Sequence, residues 1–269
     1  MQIGIIAGSG ELPKIISKDA KERGYEIVTV ALEGLASAEM NSLSDRIKWV
    51  NPGKLGEIIK TFKDYRVKSV LMAGKVPKSL LIKANVIPDM KAIKLLFSLK
   101  NKNDDEILKA LTDEIEKEGI EIIDTASFSP HLLTPEGVLT KKMPSADEQK
   151  DIDFGWNIAK EIGRLDIGQT VVVKSRSVMA VEAIEGTDEA ILRGGKLAGE
   201  GAVVVKVSKP QQDMRLDVPA VGIDTIEAMI SARATVLALE SYKSLIINRD
   251  IFLNNANNAE ICIIGLTKK

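Results

Sequence analysis

The sequence predicts an α/β protein, with an N-terminal doubly wound parallel-sheet (Rossmann-like) domain and a C-terminal α+β domain. Three observations predict it. Over residues 1–125 short apolar runs alternate with helical patterns, the signature of βαβ units and a parallel sheet. The first apolar run ends in a glycine turn that opens a helix. From residue 145 the pattern changes to a hairpin followed by mixed helices and strands, so a second domain is expected at 145–269, after a connector at 126–144.

Residues 2–7, QIGIIA, read as the first strand. Gly8-Ser9-Gly10 turns the chain into a helix with Leu12, Ile15, Ile16 and Ala20 on its apolar face and Gly24 as C-cap. Pro13 suits the first turn, where its missing N–H would have no partner anyway. A glycine turn at a helix N-terminus suits phosphate. The pattern is G-x-G-x-x-P, however, without the third glycine of a dinucleotide fold, and a plain tight turn stays open beside a ligand loop. Residues 26–32 are the second strand, with Glu33 about where a ribose-binding acid would stand. Ile47 to Val50 is a weak third strand, and Leu55, Ile58, Ile59 and Phe62 form a helical face. Residues 67–73 are a strand running into Gly74-Lys75, on the sheet edge where open α/β folds bind ligands. Leu80 to Leu99 is apolar with Lys83, Lys91 and Lys94 inside it: helices with solvated lysines, or a surface that touches lipid. Asn103-Asp104-Asp105 caps a helix that faces the core through Ile107, Leu108, Leu111 and Ile115, and a strand follows at 120–124.

Ser127 to Pro144 holds three prolines and little periodicity, and reads as the connector; His131 within it reads as a surface or capping residue. Ser145-x-x-Glu148 is a capping box for a helix reaching Ile162-Gly163. Thr170 to Val173 and Val178 to Ala183, around a short polar break, make the hairpin. Thr187 or Asp188 can cap a helix that runs to Gly194-Gly195, and Asp224 can cap another through Met229 and Ala232. Ala202 to Val207, Ser244 to Ile247 and Glu260 to Gly265 read as strands.

Composition narrows the chemistry. Net charge is −1, so a phosphate site must be a local cluster and nucleic acid is not an expected partner. Aromatics at 4% argue against base-stacking platforms. His131 is the only histidine, which excludes a multi-histidine zinc site. Cys262, the only cysteine, sits in an apolar run and reads as a core residue; a disulfide within the chain is excluded, which fits a reducing compartment. Met1 enters a strand directly, so no leader is expected, and no run of about 18 apolar residues exists to span a membrane.

The stretch Val203–Pro219, VVVKVSKPQQDMRLDVP, concentrates the candidates. It leaves a buried strand and brings Lys206, Lys209, Gln211, Gln212, Asp213, Arg215 and Asp217 onto or beside one irregular segment. Cations so placed suit phosphate oxygens, and a carboxylate among them suits a divalent metal or the activation of water. A solvated loop with surface ion pairs is the plainer alternative.

Several segments resemble a known family. IIAGSGELP at 5–13, MAGKVPK at 72–78, KNDDEIL at 102–108, IGRLDIGQTVVV at 162–173, AVEAIEGTDEAILR at 180–193 and VVKVSKPQQDMRLDVPAVGIDTI at 204–226 are similar to those of the LpxI-type UDP-2,3-diacylglucosamine pyrophosphatases of lipid A biosynthesis, in the same order along nearly the whole chain. The resemblance implies a two-domain, dimeric, cytoplasmic enzyme with a site in the cleft between domains. It implies Mg²⁺-dependent hydrolysis of UDP-2,3-diacylglucosamine to UMP and 2,3-diacylglucosamine 1-phosphate, with transient contact at the inner membrane surface. The family's essential aspartate, in R-x-D-x-P, falls on Asp217 as the catalytic residue. Glu185 and Asp188 would join it as magnesium ligands; helix capping is the other reading of both. Gly8, Ser9, Gly10, Gly74, Lys75, Asp104, Gln169, Thr187, Lys206, Lys209, Gln212 and Arg215 form the expected substrate-binding set. Two other classes stay open on the residues alone: a UDP-sugar-binding or sensing protein without hydrolysis, and an NAD-dependent oxidoreductase, which Pro13 in place of the third glycine counts against.

Overall fold

The computed structural model describes residues 1–76, 86–99, 104–216 and 218–268. The chain forms two compact units, Met1–Ser129 with Met214–Leu216, and Pro130–Asp213 with Asp217–Lys269.

The first unit runs β1 (Gln2–Ala7), α1 (Leu12–Glu22), β2 (Glu26–Leu32), α2 (Met40–Leu43), β3 (Arg46–Val50), α3 (Leu55–Asp64), β4 (Ser69–Ala73), α4 (Met90–Ser98), α5 (Asp104–Glu116), β5 (Glu121–Ile122) and α6 (Thr125–Phe128). The strands form one parallel sheet in the order β3-β2-β1-β4-β5. Helices cover both faces, which is why the inner strands β1, β2 and β4 are apolar almost throughout. Ile3, Ile5 and Ala7 enter one core with Ile16 and Ala20 of α1; Ile6, Val28 and Val30 enter the other with Ile58, Ile59 and Phe62 of α3. Winding reverses between β1 and β4, so a switch point lies at their C-terminal ends. Asp89 caps α4 by accepting from Ala92 N at 2.8 Å and ties it to α3 by accepting from Gly56 N at 2.7 Å. Lys91 of α4 is engaged by Glu114 at 2.8 Å and Glu118 at 2.7 Å, while Met90 and Phe97 stay exposed.

The second unit runs β6 (Gly137–Val138), α7 (Ala146–Arg164), β7 (Thr170–Lys174), β8 (Ser177–Val181), α8 (Thr187–Ala198), β9 (Ala202–Lys206), β10 (Ala220–Val221), α9 (Ile223–Ser231), β11 (Ala234–Glu240), β12 (Leu245–Ile246), α10 (Arg249–Asn258) and β13 (Cys262–Leu266). Its main sheet has the order β6-β13-β11-β9-β7-β8. The central three strands are parallel and the flanking ones antiparallel. Alternate residues divide between two cores: Val172, Val204 and Leu237 pack with Ile191, Met229 and Phe252 of α8, α9 and α10, whereas Val171, Val203 and Val205 pack with Ile152, Trp156 and Ala159 of α7.

The structure departs from several of the expected elements. The segment read as a connector carries α6, a 3-10 turn at Pro130–Leu132 and β6, which pairs with β13. β11, the central strand, and α10 were not anticipated. The 244–247 strand shrinks to β12, which pairs with β10 apart from the main sheet. Gly194 and Gly195 do not end α8. A Cβ at Gly194 would stand 2.6 Å from Val172 Cβ, and one at Gly195 2.4 Å from Ala232 Cβ, so both glycines let α8 lie close against β7 and α9. Asp224 is not a cap either: Gly222 is the N-cap, and Asp224 lies in the first turn of α9. The capping box of α7 does form, with Ser145 and Glu148 each receiving the other's backbone N–H.

Candidate functional site

In the second unit the C-terminal end of β9 collects buried charge. Register places Thr170 opposite Lys206, and Glu182, just past β8, donates its N–H to Thr170 O at 2.9 Å. Cross-strand neighbours share a face, so Glu182, Thr170 and Lys206 form a polar row closing the apolar layer of Ala180, Val172 and Val204. Lys206 is 3% exposed and Glu182 7%. Thr187, at the start of α8, sits between them: its hydroxyl is 2.6 Å from Lys206 Nζ and 2.7 Å from Glu182 Oε1. Gln169 N donates to Glu182 Oε2 at 3.2 Å. Burial pushes the Glu182 carboxyl up, but the Lys206 charge and its hydrogen bonds more than offset this and hold it below the ordinary glutamate value. The Thr170 hydroxyl stands near Glu182 without hydrogen-bond geometry, and Gln169 Oε1 is likewise buried without a partner among the described residues.

The other face of the same sheet end is also charged. Glu240 ends β11, is 4% exposed, and its Oε2 accepts from Lys160 Nζ at 2.5 Å, Ser208 N at 2.8 Å and Ser208 Oγ at 2.9 Å. Burial raises this carboxyl, and Lys160 with Ser208 brings it below the ordinary value. Lys160 lies 6.0 Å from the Trp156 ring centroid. Next along the loop, Lys209 is paired with Asp166, and its N–H donates to Gln212 Oε1 at 3.1 Å. Asp166 follows the end of α7 at φ 55°, a left-handed position where glycine is usual; its carboxylate holds Lys209 instead. Burial pushes the Cys262 thiol up to about 11, consistent with an inert core residue.

In the first unit the switch-point loops brace one another through backbone. Gly8 N donates to Ala73 O at 2.8 Å, Ser9 N to Lys75 O at 3.0 Å, and Lys75 N to Ser9 O at 2.9 Å. A Cβ on Gly8 would lie 2.7 Å from Lys75 O, and one on Gly74, at φ 92°, would lie 2.6 Å from Ser9 O. These glycines are therefore required by loop-to-loop approach, and the amides of Gly8, Ser9 and Lys75 are already committed to it. An open hollow lined by Gly24, Tyr25, Glu26, Asp45 and Arg46 lies at the other end of β2 and β3, away from these loops.

The expected residues thus separate into groups. Gln169, Thr187 and Lys206 come together, with Glu182 added; Lys209 and Gln212 lie together beyond β9. Arg215 pairs with Glu116 at 2.9 Å, both within the first unit, where Leu216 also packs. Gly8, Ser9, Gly74 and Lys75 form the brace, and Gly10 follows at φ 95°. Asp104 opens α5, and its side chain lies outside the described part. Asp217 lies outside the described residues, as do Lys83 and Asn103.

Gly186 caps α8 by position, so Thr187 and Asp188 are not its caps. Asp188 accepts from Thr225 Oγ1 at 2.9 Å, and Glu185 is paired with Arg193 at 2.5 Å. Among the described residues no three His, Cys, Asp or Glu side chains cluster as a metal cage. Glu182, Glu240, Lys160 and Asp166 were missed by sequence reasoning. The hairpin register, carried one pair beyond Val171 and Val181, would have placed Glu182 opposite Thr170.

Comparison with known proteins covers both units. The family model described as the LpxI N-terminal domain matches residues 2–132, and that of the LpxI C-terminal domain matches residues 135–264. A curated relative, UDP-2,3-diacylglucosamine pyrophosphatase LpxI of Caulobacter vibrioides, is 32% identical over 279 residues, covering 98% of this chain and 97% of its own. Among solved structures, phosphoribosylglycinamide synthetase from Anaerococcus prevotii is similar at 15% identity and TM-score 0.27, over 64% of this chain and 31% of that one. The biotin carboxylase subunit of pyruvate carboxylase is similar at 13% identity and TM-score 0.28, over 73% and 41%. The chain spans less than half of either enzyme's length, and at these scores neither likeness bears on the fold or the site.

Proposed function

The chain belongs to the LpxI family, and on that premise we propose that it hydrolyses the pyrophosphate of UDP-2,3-diacylglucosamine to UMP and 2,3-diacylglucosamine 1-phosphate. The observation that carries the reading is the end-to-end likeness to a pyrophosphatase, with both halves matched in order.

The chemistry asks for charge stabilisation on two phosphates and an in-line water. Lys206 offers ammonium donors from a fixed, buried position, and Lys209 and Arg215 are further cations on the same stretch of chain. Asp217 takes the role of orienting the water or holding a metal, carried from the family's R-x-D-x-P. A magnesium requirement belongs to the proposal: magnesium is usually held by one or two carboxylates and completed by waters and substrate phosphates, so Asp217 with Asp188 is a sufficient protein share. Bound there, it would neutralise charge on the phosphate oxygens. Glu185, which also pairs with Arg193, is proposed as a further oxygen ligand beside Asp217 and Asp188.

The protein is proposed to act in the cytoplasm as a homodimer and to meet the inner membrane surface transiently. No helix among the described residues is long and apolar enough to cross a membrane. The exposed Ile87, Met90 and Phe97 around α4 support such a contact.

The test is release of UMP from UDP-2,3-diacylglucosamine by the purified protein, with Mg²⁺ and with chelator. Release that stops on chelation is the expected result. Tight binding of UMP with no release would replace hydrolysis by a binding or sensing role.

A further inference from the structure

The polar row of the second sheet contains a carboxylate, Glu182, to which the proposed function gives no task. Chemistry fixes the direction of every hydrogen around it. An ammonium has no lone pair, so in the 2.6 Å contact Lys206 Nζ donates and Thr187 Oγ1 accepts. The Thr187 hydrogen then goes to Glu182 Oε1, 2.7 Å away, since an ionised carboxylate can only accept. The Thr187 hydroxyl therefore has no hydrogen left to give a ligand. Lys206 is different: an ammonium has three donors, and its only hydrogen bond among the described residues is the one to Thr187. Those remaining N–H groups sit on a side chain that is 3% exposed.

Stability alone is a poor explanation for the arrangement. Apolar residues of similar volume often replace a buried ion pair at no loss, and an under-bonded buried cation is a weak stabiliser. The neighbouring Thr170 hydroxyl, also fully buried, has no hydrogen-bond partner among the described residues. The end of a central parallel strand, with polar groups left unsatisfied, is where an open sheet receives a ligand.

We infer that Glu182, acting through Thr187, is a positioning residue that fixes the Lys206 ammonium so that its remaining N–H groups meet an oxyanion of the substrate. On the reading proposed above, on which this inference rests, that oxyanion is a phosphate oxygen. Lys206 is then the group that touches substrate, and Thr187 and Glu182 are its mount.

The test uses the full chain and four variants: E182Q, T187V, T187S and E182Q/T187V. E182Q keeps the shape and an acceptor for Thr187 but removes the charge; T187V removes the hydroxyl that links the two charges. Each is expected to lower kcat for UMP release by about tenfold to a hundredfold, the scale of a misplaced group, with KM changed less than about threefold. The double variant should be no worse than either single one, because all act on one contact chain. T187S should recover most of what T187V loses. Melting curves on the same samples separate these effects from unfolding, and if E182Q does not fold, T187V and T187S decide the matter. Calorimetric binding of UDP is the second readout, expected to weaken in both single variants by no more than the roughly threefold allowed to KM. Parent-like kcat and UDP binding in folded E182Q or T187V would overturn the inference and leave the hydrolase reading standing. Additive losses in the double variant would overturn it as well. A parent protein that binds UDP without hydrolysing it would remove the hydrolase reading alone, and UDP binding would then judge the mount. A parent that neither binds nor hydrolyses would remove both.

Discussion

The two units finish their sheet ends in opposite ways. At the C-terminal ends of β1 and β4 the chain closes on itself through backbone: Gly8, Ser9 and Lys75 exchange amides and carbonyls, and Gly8 and Gly74 leave no room for a methyl group. Beyond β9 and β11 side chains fill the same position: Lys206 with Glu182, Lys160 with Glu240, and Lys209 with Asp166. The first end depends on shape and tolerates little added volume. The second depends on charge and tolerates an isostere poorly. A loop that only needs to hold its path can use backbone. A site that must present donors in low dielectric needs cations, and buried cations need carboxylates.

The largest expected effect lies at the aspartate that the family resemblance singles out. Asp217→Ala should lower UMP release by about 10³-fold or more while thermal melting stays near that of the parent. Near-normal turnover would remove Asp217 from the mechanism. The next effect tests the backbone brace. Gly74→Ala sets a Cβ 2.6 Å from Ser9 O at φ 92°, which should cost about 2–3 kcal/mol. The loss should appear as faster hydrogen exchange in β1 and β4, with the β9 and β11 amides changed less. Unchanged exchange in β1 and β4 would mean the loops move apart cheaply and the brace is not rigid.

The same contrast explains what could be read from the residues alone. The first sheet was legible because parallel strands buried on both faces are nearly continuous apolar runs, and QIGIIA and EIVTVAL cannot be much else. β11, ATVLALE, was not, because alanine and leucine favour helix and only its place between β9 and β13 makes it a strand. Gly194-Gly195 has the form of a helix stop but serves close packing. Of the site, Lys206 and Thr187 were visible as polar residues at element ends. Their carboxylate was not, since Glu182 lies 24 residues before Lys206 and meets it only through the register of three strands. Asp166 and Glu240 were hidden likewise: helix and strand ends carry acids for many reasons.

A smaller effect tests the charged end directly. Lys160→Met keeps a side chain of similar length but removes a cation from Glu240, which Ser208 and Lys243 still partner. About 2 kcal/mol of stability should be lost, recovered in part when Glu240→Gln is added. No recovery in the double variant would show that the lysine packs rather than pairs.

The smallest effect compares the units' response to acid and salt. Glu182 and Glu240 have folded values below the ordinary 4.5, with burial opposing and lysines prevailing. A depressed carboxylate contributes stability that is fully present above its unfolded value and is lost as pH falls through its folded one. Both units should therefore weaken below about pH 4.5, because Glu114 and Glu118 of the first unit are also lowered, Glu114 chiefly by Lys91 and Glu118 to about 2 chiefly by Lys63. The difference is screening. The first unit's pairs lie at the surface and weaken with salt, whereas the buried pairs of the second do not. Trp49 in β3 and Trp156 in α7 are the chain's two tryptophans, one in each unit. With each left as the sole tryptophan, acid unfolding at low and high salt should move the Trp49 midpoint more than the Trp156 midpoint. Equal shifts would mean that the buried lysines see solvent ions as freely as the surface ones, and the contrast between the two sheet ends would then be one of shape alone.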